Sequence, residues 1–313
     1  MKKVLIVVGI LAMLVVATTS YALFFRENLV ISKAEAKTKY STAASHFMQW
    51  RDTEVHYTDE GQGPPMLMIH GFGGNFTNFD TLASILKANY RVIRVDLPGF
   101  GLSDLPEQHD SLAALYRDFL SDLLDTLQMD SLYVVGNSLG GWMSWELAAN
   151  KPDMVKGLVL LNSAGYELEK VKKNIGRMDL LDNAFARKLA ERGLPVSLSM
   201  QNAQRLMTEW QTPNPAGVAV NNALLNREGN LANMITLANS GVTPDTAKIT
   251  TIQCPTLVIW GKYDIIVPAE HAAKFTRDIP NAIAIVYDTC GHIPQIEYPH
   301  RVAHDIKTFL SAQ

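Results

Sequence analysis

A pentapeptide, Gly136-Asn137-Ser138-Leu139-Gly140, separates the apolar run Leu132-Tyr133-Val134-Val135 from the helix-compatible stretch Gly141-Trp142-Met143-Ser144-Trp145-Glu146-Leu147-Ala148. A buried strand that becomes a helix within so few residues leaves little room at the turn. Small residues must flank the serine, and its hydroxyl is lifted clear of the backbone at the helix N-terminus. The pentapeptide alone is a weak signal. The strand before it and the helix after it make the signal strong.

The rest of the chain alternates in the same way. Residues 66–69, 132–135, 158–161, 257–260 and 283–286 are short, near-continuous apolar runs, and 91–95 reads as a further strand. Such runs are expected of parallel strands covered on both faces. Residues 81–88 read as a helix, and 112–127 as an amphipathic one with Leu112, Leu115, Tyr116, Phe119, Leu120, Leu123, Leu124 and Leu127 on one stripe. Residues 47–50 and 54–58 look like an opening β-hairpin around Arg51-Asp52-Thr53, and Gly61-Gln62-Gly63-Pro64-Pro65 is a turn. The expected class is α/β, a mostly parallel sheet with helices on both faces. The alternation fails between Tyr166 and about Pro244. That stretch is helix-like, divided by Pro195, Pro213 and Pro215, and reads as a helical cap over the C-terminal edge of the sheet. The expected core is therefore 46–165 with 245–313, and the cap is 166–244. Residues 26–45 are expected to be a tether or short helix outside the fold.

The N-terminus starts with Lys2-Lys3 and an uncharged apolar run over 4–25. As a helix that run is roughly 33 Å long, enough to span a bilayer core. It reads as a signal anchor, or as a signal peptide cleaved near Ser20-Tyr21-Ala22; the resumption of apolar residues at Leu23-Phe24-Phe25 favours the anchor. Either way the expected location of the domain is the cell envelope or beyond, with the membrane as partner through this segment. The formal net charge of −3 and the lack of a basic run make nucleic acid an unlikely partner. Cys254 precedes one predicted strand and Cys290 follows its neighbour. In parallel strands that puts them about 15–20 Å apart at ~3.3 Å per residue, so both read as free thiols.

A serine hydroxyl needs an adjacent base, and a carboxylate must orient that base and stabilise its cation. Ligands gather at the C-terminal ends of strands in open α/β sheets, and the chain order downstream of such a serine is acid, then histidine. Asp264 follows strand 257–260 in Trp260-Gly261-Lys262-Tyr263-Asp264, and His292 follows strand 283–286 in Cys290-Gly291-His292-Ile293-Pro294. The end of strand 158–161, Asn162-Ser163, offers no carboxylate. After strand 66–69 comes His70-Gly71-Phe72-Gly73-Gly74-Asn75, whose glycines let backbone approach a substrate. The N–H groups of Phe72 and Leu139 are the expected donors to a developing oxyanion. His70 and Asp96 read as structural, each ordering its loop. His300 and His304 have zinc-compatible spacing but no third ligand, so neither metal nor cofactor is implied.

On these residues, and on Asp96-Leu97-Pro98-Gly99-Phe100-Gly101-Leu102-Ser103, the chain resembles the α/β-hydrolases over 47–165 and 245–313. Dehalogenases and epoxide hydrolases of that superfamily carry aspartate where this chain has Ser138. The segments 70–75, 136–141 and 163–166 are similar to small capped bacterial lipases and esterases. The elbow with Asn137 and residues 291–297 also resemble hydrolases of meta-cleavage ring-fission products, which split a carbon–carbon bond. The resemblance implies a serine hydrolase. Export, together with scattered rather than clustered basic residues in the cap, favours small-molecule or lipid esters as substrate, with carbon–carbon hydrolysis the alternative. Leu180, Leu181, Leu206, Met207 and Trp210 are expected as apolar anchors of the cap.

Overall fold

The computed structural model describes residues 28–108, 111–166, 191–239 and 244–313. The run 4–25 lies outside the described residues, as do Leu180 and Leu181. Among the described residues no helix is long and apolar enough to cross a membrane.

Among the described residues there are eight strands: β1 (Ser45–Trp50), β2 (Thr53–Glu60), β3 (Pro65–Ile69), β4 (Arg91–Val95), β5 (Leu132–Asn137), β6 (Val155–Leu161), β7 (Thr256–Gly261) and β8 (Ala282–Tyr287). They form one sheet in the order β1-β2-β4-β3-β5-β6-β7-β8. The β1–β2 hairpin and the β2–β4 pair are antiparallel. Every other pair is parallel. Coverage on both faces explains the unbroken apolar runs of β3, β5, β6 and β7, because successive side chains serve opposite faces. At the sheet edge β8 departs from that expectation, with Ile283 and Val286 exposed. Val134, Leu158, Leu160 and Trp260 join the helices Leu112–Thr126 and Leu139–Asn150 in one core. Val135, Val159, Leu161 and Ile259 join Asp80–Leu86 and Pro299–Ser311 in the other. In Leu112–Thr126, capped by the Ser111 side chain, seven of the stripe residues are buried while Leu127 becomes the C-cap. Each buried Leu or Phe of this kind stabilises by about 1.5–3 kcal/mol, so the helix is held by its stripe.

Between β6 and β7 the described cap residues form helices Val196–Leu206, Pro215–Leu225 and Asn230–Ala238. Pro195 is the N-cap of the first, and Pro215 occupies the first turn of the second behind Asn214. There proline loses no helical hydrogen bond. Of the expected cap anchors among the described residues none is fully buried: Leu206 and Met207 are half-buried, and Trp210 is 52% exposed and leans on Tyr263 at 5.1 Å between ring centroids.

Residues 28–45 also depart from expectation. A short helix, Lys33–Tyr40, does form, but against the fold rather than outside it. Ala36 is fully buried in a cluster with Phe76, Leu102 and Leu224, with Ile31, Tyr40 and Phe47 packed around it. Leu29 and Ile31 donate to Arg192 and Asn226, and Glu228 donates to Ile31. Lys33 pairs with Asp104 and Lys37 with Glu54. The segment is polar on most sides and buries one alanine, so no hydrophobic stripe announces it.

Candidate active site

At the end of β5 the backbone of Ser138 adopts φ 54 and ψ −115, and the helix Leu139–Asn150 begins at the next residue. A non-glycine residue held there costs about 1–3 kcal/mol, which surrounding bonds must offset. Ser138 N donates to Leu161 O at 3.1 Å, and Ser138 O accepts from Trp142 N and Ala164 N at 3.1 and 3.0 Å. The flanking glycines are needed for space. A Cβ on Gly136 would strike the Gly140 carbonyl and Ser144 Oγ, and one on Gly140 would strike the Ile69 and His70 carbonyls.

The second collision shows that the loop after β3 lies directly on the elbow. A Cβ on Gly71 would fall 3.2 Å from Ser138 Cβ. The Gly71 carbonyl accepts from His70 Nδ1 at 2.7 Å and from Gly74 N at 3.0 Å. Since a trans peptide points its C=O and N–H in opposite directions, pinning that carbonyl also fixes where the Phe72 N–H points. Leu139 is the first helical residue, so its N–H has no intrahelical acceptor.

His70 Nε2 accepts from Leu97 N at 3.0 Å, which sets the tautomer and ties the loop to the end of β4. Burial pushes the His70 pKa down, against the opposing charge of Asp96, so the ring is neutral. The Asp96 carboxylate accepts from Phe76 N, Leu102 N and His56 Nδ1. Burial would raise its pKa, but the His56 bond and the neighbouring histidines and amide hold it below the usual carboxylate value. His56 Nε2 in turn meets Ser45 Oγ at 2.8 Å. This second Ser–His–Asp chain is structural: Thr42 N–H already donates to Ser45 Oγ, and the chain ties β1 to the loop after β4.

Asp264 and His292 come together from separate strand ends. Asp264 Oδ1 accepts from Ile266 N and Val267 N at 2.7 and 2.9 Å. Its Oδ2 is 2.8 Å from His292 Nδ1. An ionised carboxylate only accepts, so Nδ1 carries the proton and Nε2 keeps its lone pair. His292 is buried, and its carbonyl accepts from Asn137 Nδ2 at 3.1 Å, which ties the histidine loop to the elbow. No hydrogen bond joins Ser138 Oγ to the imidazole among the described residues; such bonds commonly tighten only with substrate bound.

Three residues around this pair have no role assigned from the sequence: Asn162, Glu297 and Thr208. Asn162 stands in the slot after β6 where no carboxylate was found. Its Nδ2 donates to Asp264 Oδ2 at 2.6 Å and to Gly291 O at 3.1 Å, and its Oδ1 accepts from Gly261 N. A polar residue at that strand end was the available clue. Glu297 and Thr208, both buried, contact the histidine loop from behind. The two cysteines are free and buried. Burial pushes both thiols up, Cys254 to about 11, which makes them poor nucleophiles. His300 and His304 are exposed, and among the described residues no cluster of metal-ligating side chains exists.

Comparison with known proteins agrees with the architecture. A family model for the alpha/beta hydrolase fold matches residues 64–299. Lipase 1 of Psychrobacter immobilis is 30% identical over 301 residues, covering 95% of this chain and 90% of that protein. The 2-hydroxy-6-oxononadienedioate/2-hydroxy-6-oxononatrienedioate hydrolase of Burkholderia vietnamiensis is 30% identical over 296 residues, 90% of this chain and 98% of its own length. Among solved structures, a serine hydrolase involved in carbazole degradation (CarC enzyme) aligns with a TM-score of 0.74 and 26% identity, over 86% of this chain and 99% of that one.

Proposed function

The chain belongs to the α/β-hydrolase fold family, and on that premise we propose that it is a serine hydrolase of carboxylic esters. The observation that carries the proposal is the orientation of the His292 ring. Its Nδ1–H is committed to Asp264 and its Nε2 is left to act as base, on a loop bonded to the residue before Ser138. His292 Nε2 takes the Ser138 proton as Oγ attacks the acyl carbonyl, and Asp264 stabilises the imidazolium. The N–H groups of Phe72 and Leu139 receive the oxyanion. When it collapses, the carbon–oxygen bond to the alcohol breaks and His292 gives its proton to the leaving oxygen. Water, deprotonated by the same imidazole, then attacks the acyl-serine and releases the acid.

Ester cleavage is preferred over carbon–carbon cleavage because of the N-terminus and the cap. An apolar run long enough to span a bilayer suits an enzyme of the cell envelope acting on small-molecule or lipid esters. In the cap, Arg227 is committed to Asp104 at 2.6 Å and is not free to clamp a dicarboxylate. The second reading, hydrolysis of a vinylogous diketone acid, has the support of the Burkholderia vietnamiensis relative. The test is turnover of p-nitrophenyl esters of rising chain length beside a meta-cleavage diketone acid, with fluorophosphonate labelling of wild type and Ser138→Ala. The proposal expects ester turnover and labelling, both lost by several orders of magnitude in the variant. Turnover of the diketone acid alone would transfer the assignment to carbon–carbon hydrolysis.

A further inference from the structure

We propose that Glu297 is a positioning residue: it fastens the His292 loop to the cap, so that the seating of the cap sets the alignment of the base. This rests on the serine-hydrolase assignment for His292. Glu297 ends the short helix Pro294–Glu297 that follows the histidine, and its carboxylate folds back over the loop. Oε1 accepts from Gly291 N at 3.0 Å and Ile293 N at 3.3 Å, the two amides flanking His292. Cys290 Sγ donates to the same oxygen at 3.4 Å. Oε2 shares the Gly291 N–H at 3.0 Å and accepts from Thr208 N at 3.2 Å.

Thr208 is not a local partner. It lies in the cap, just beyond helix Val196–Leu206, and is 89 residues away from Glu297 in sequence. Two more bonds run alongside. His292 N donates to Leu206 O at 2.8 Å, and Thr208 Oγ1 donates to Thr289 O at 2.9 Å. Two cap residues, Leu206 and Thr208, thus hold the histidine loop from one side through three bonds, while Asp264 and Asn137 hold His292 from the others.

The chemistry of the side chain is specific to this task. Among the described residues no Lys, Arg or His forms an ion pair with Glu297. A buried carboxylate without a cation is unfavourable unless donors satisfy it. Here donors surround it, and an ionised carboxylate, which only accepts, suits that position. Glutamine would turn an NH2 group toward either the loop amides or Thr208 N, so one side of the tie must open. Burial pushes the Glu297 pKa up, and the Gly291, Thr208 and Ile293 amides counter it.

A loosened base slows proton transfer for every substrate, whereas a deformed pocket discriminates between acyl chains. The experiment therefore measures kcat and KM for wild type, Glu297→Gln and Thr208→Val on acetate, butyrate and octanoate p-nitrophenyl esters. The rate of fluorophosphonate labelling per active site is followed in parallel. Glu297→Gln should lower kcat and the labelling rate roughly tenfold to hundredfold, by one common factor across chain lengths, with KM little changed. Thr208→Val, which severs only the bond to Thr289 O, should do the same to a smaller extent and covers the case in which Glu297→Gln does not fold. Kinetics within about twofold of wild type in a folded variant, or a loss that depends on chain length, overturns the proposal. Amide hydrogen exchange gives a readout independent of catalysis: Glu297→Gln should speed exchange at Gly291 or at Thr208, whichever amide the new NH2 group faces. If wild type neither labels nor turns over any ester, the hydrolase assignment fails. Unchanged exchange at those amides shows separately that the tie is absent.

Discussion

Replacing Asn162 by alanine isolates the residue that joins β7, the acid and the histidine loop. Its side chain is fully buried and serves Gly261 N, Gly291 O and Asp264 Oδ2. The substitution leaves two buried backbone groups without that partner, at about 1–3 kcal/mol each. The backbone adds to this, because Asn162 sits at φ 45, where a Cβ without a compensating side-chain bond costs roughly 1–2 kcal/mol. Asn162→Ala should therefore destabilise by about 3–8 kcal/mol. Asn162→Gly loses the same bonds but not the left-handed penalty, and should be about 1 kcal/mol more stable than the alanine variant. Urea unfolding of residues 28–313, followed by tryptophan fluorescence, measures both, and ester turnover should fall with them because Asp264 loses a donor. Equal midpoints for Ala and Gly would refute the backbone argument. A loss below about 1 kcal/mol in both would refute the hydrogen-bond argument.

Three further outcomes are expected. Gly140→Ala should abolish turnover and lower the melting temperature, because its Cβ would displace the Ile69 and His70 carbonyls and with them the Phe72 N–H; wild-type activity would contradict the close approach. A chain starting at residue 45 should be less stable than one starting at residue 28 by roughly 2–4 kcal/mol, reflecting the buried Ala36 and the Leu29 and Ile31 bonds, and an unchanged urea midpoint would return that segment to the status of a tether. Burial holds the pKa of both His70 and His271 below 6.5, His271 at about 4, so on acidification the unfolded chain binds protons there before the folded one. Stability should therefore be full above pH 6.5 and fall between 6.5 and about 4, and His271→Phe should flatten that slope in a series of thermal melts.

The parts of the site readable in advance are those where sterics or chain order leaves few options. The elbow is one, because a strand turning into a helix at Ser138 requires glycine at 136 and 140. Asp264 and His292 are another, because each follows an apolar run in the order this chemistry uses. The apolar runs of β3, β5, β6 and β7 were equally plain, since burial on both faces removes polar residues from them, whereas β8 is apolar in sequence yet leaves Ile283 and Val286 in solvent. Asn162, Thr208 and Glu297 were not readable, because their partners lie up to 129 residues away and any polar residue in a loop looks alike. The same holds for residues 28–45: a polar helix that buries one alanine carries almost no periodic signal. Trp210 misled in the opposite direction, since its apolar ring suggested burial and its place beside Tyr263 leaves half of it in solvent.

The stretch around Ile31 has a consequence for exchanging parts between relatives. The helices expected to form the cap lie between β6 and β7 in the chain, so crossover points at those strand ends offer themselves for exchanging it as a cassette. Yet Ile31 bridges to Arg227, Leu29 bonds Arg192, and Lys33 shares Asp104 with Arg227, so a piece that precedes the whole core in sequence is laced to the cap. A chimaera that takes only 166–244 from a donor would set foreign residues against the native lacing. To inherit an intact seam it must take 28–40 from the same donor, two segments from opposite sides of the elbow strand that behave as a single heritable unit.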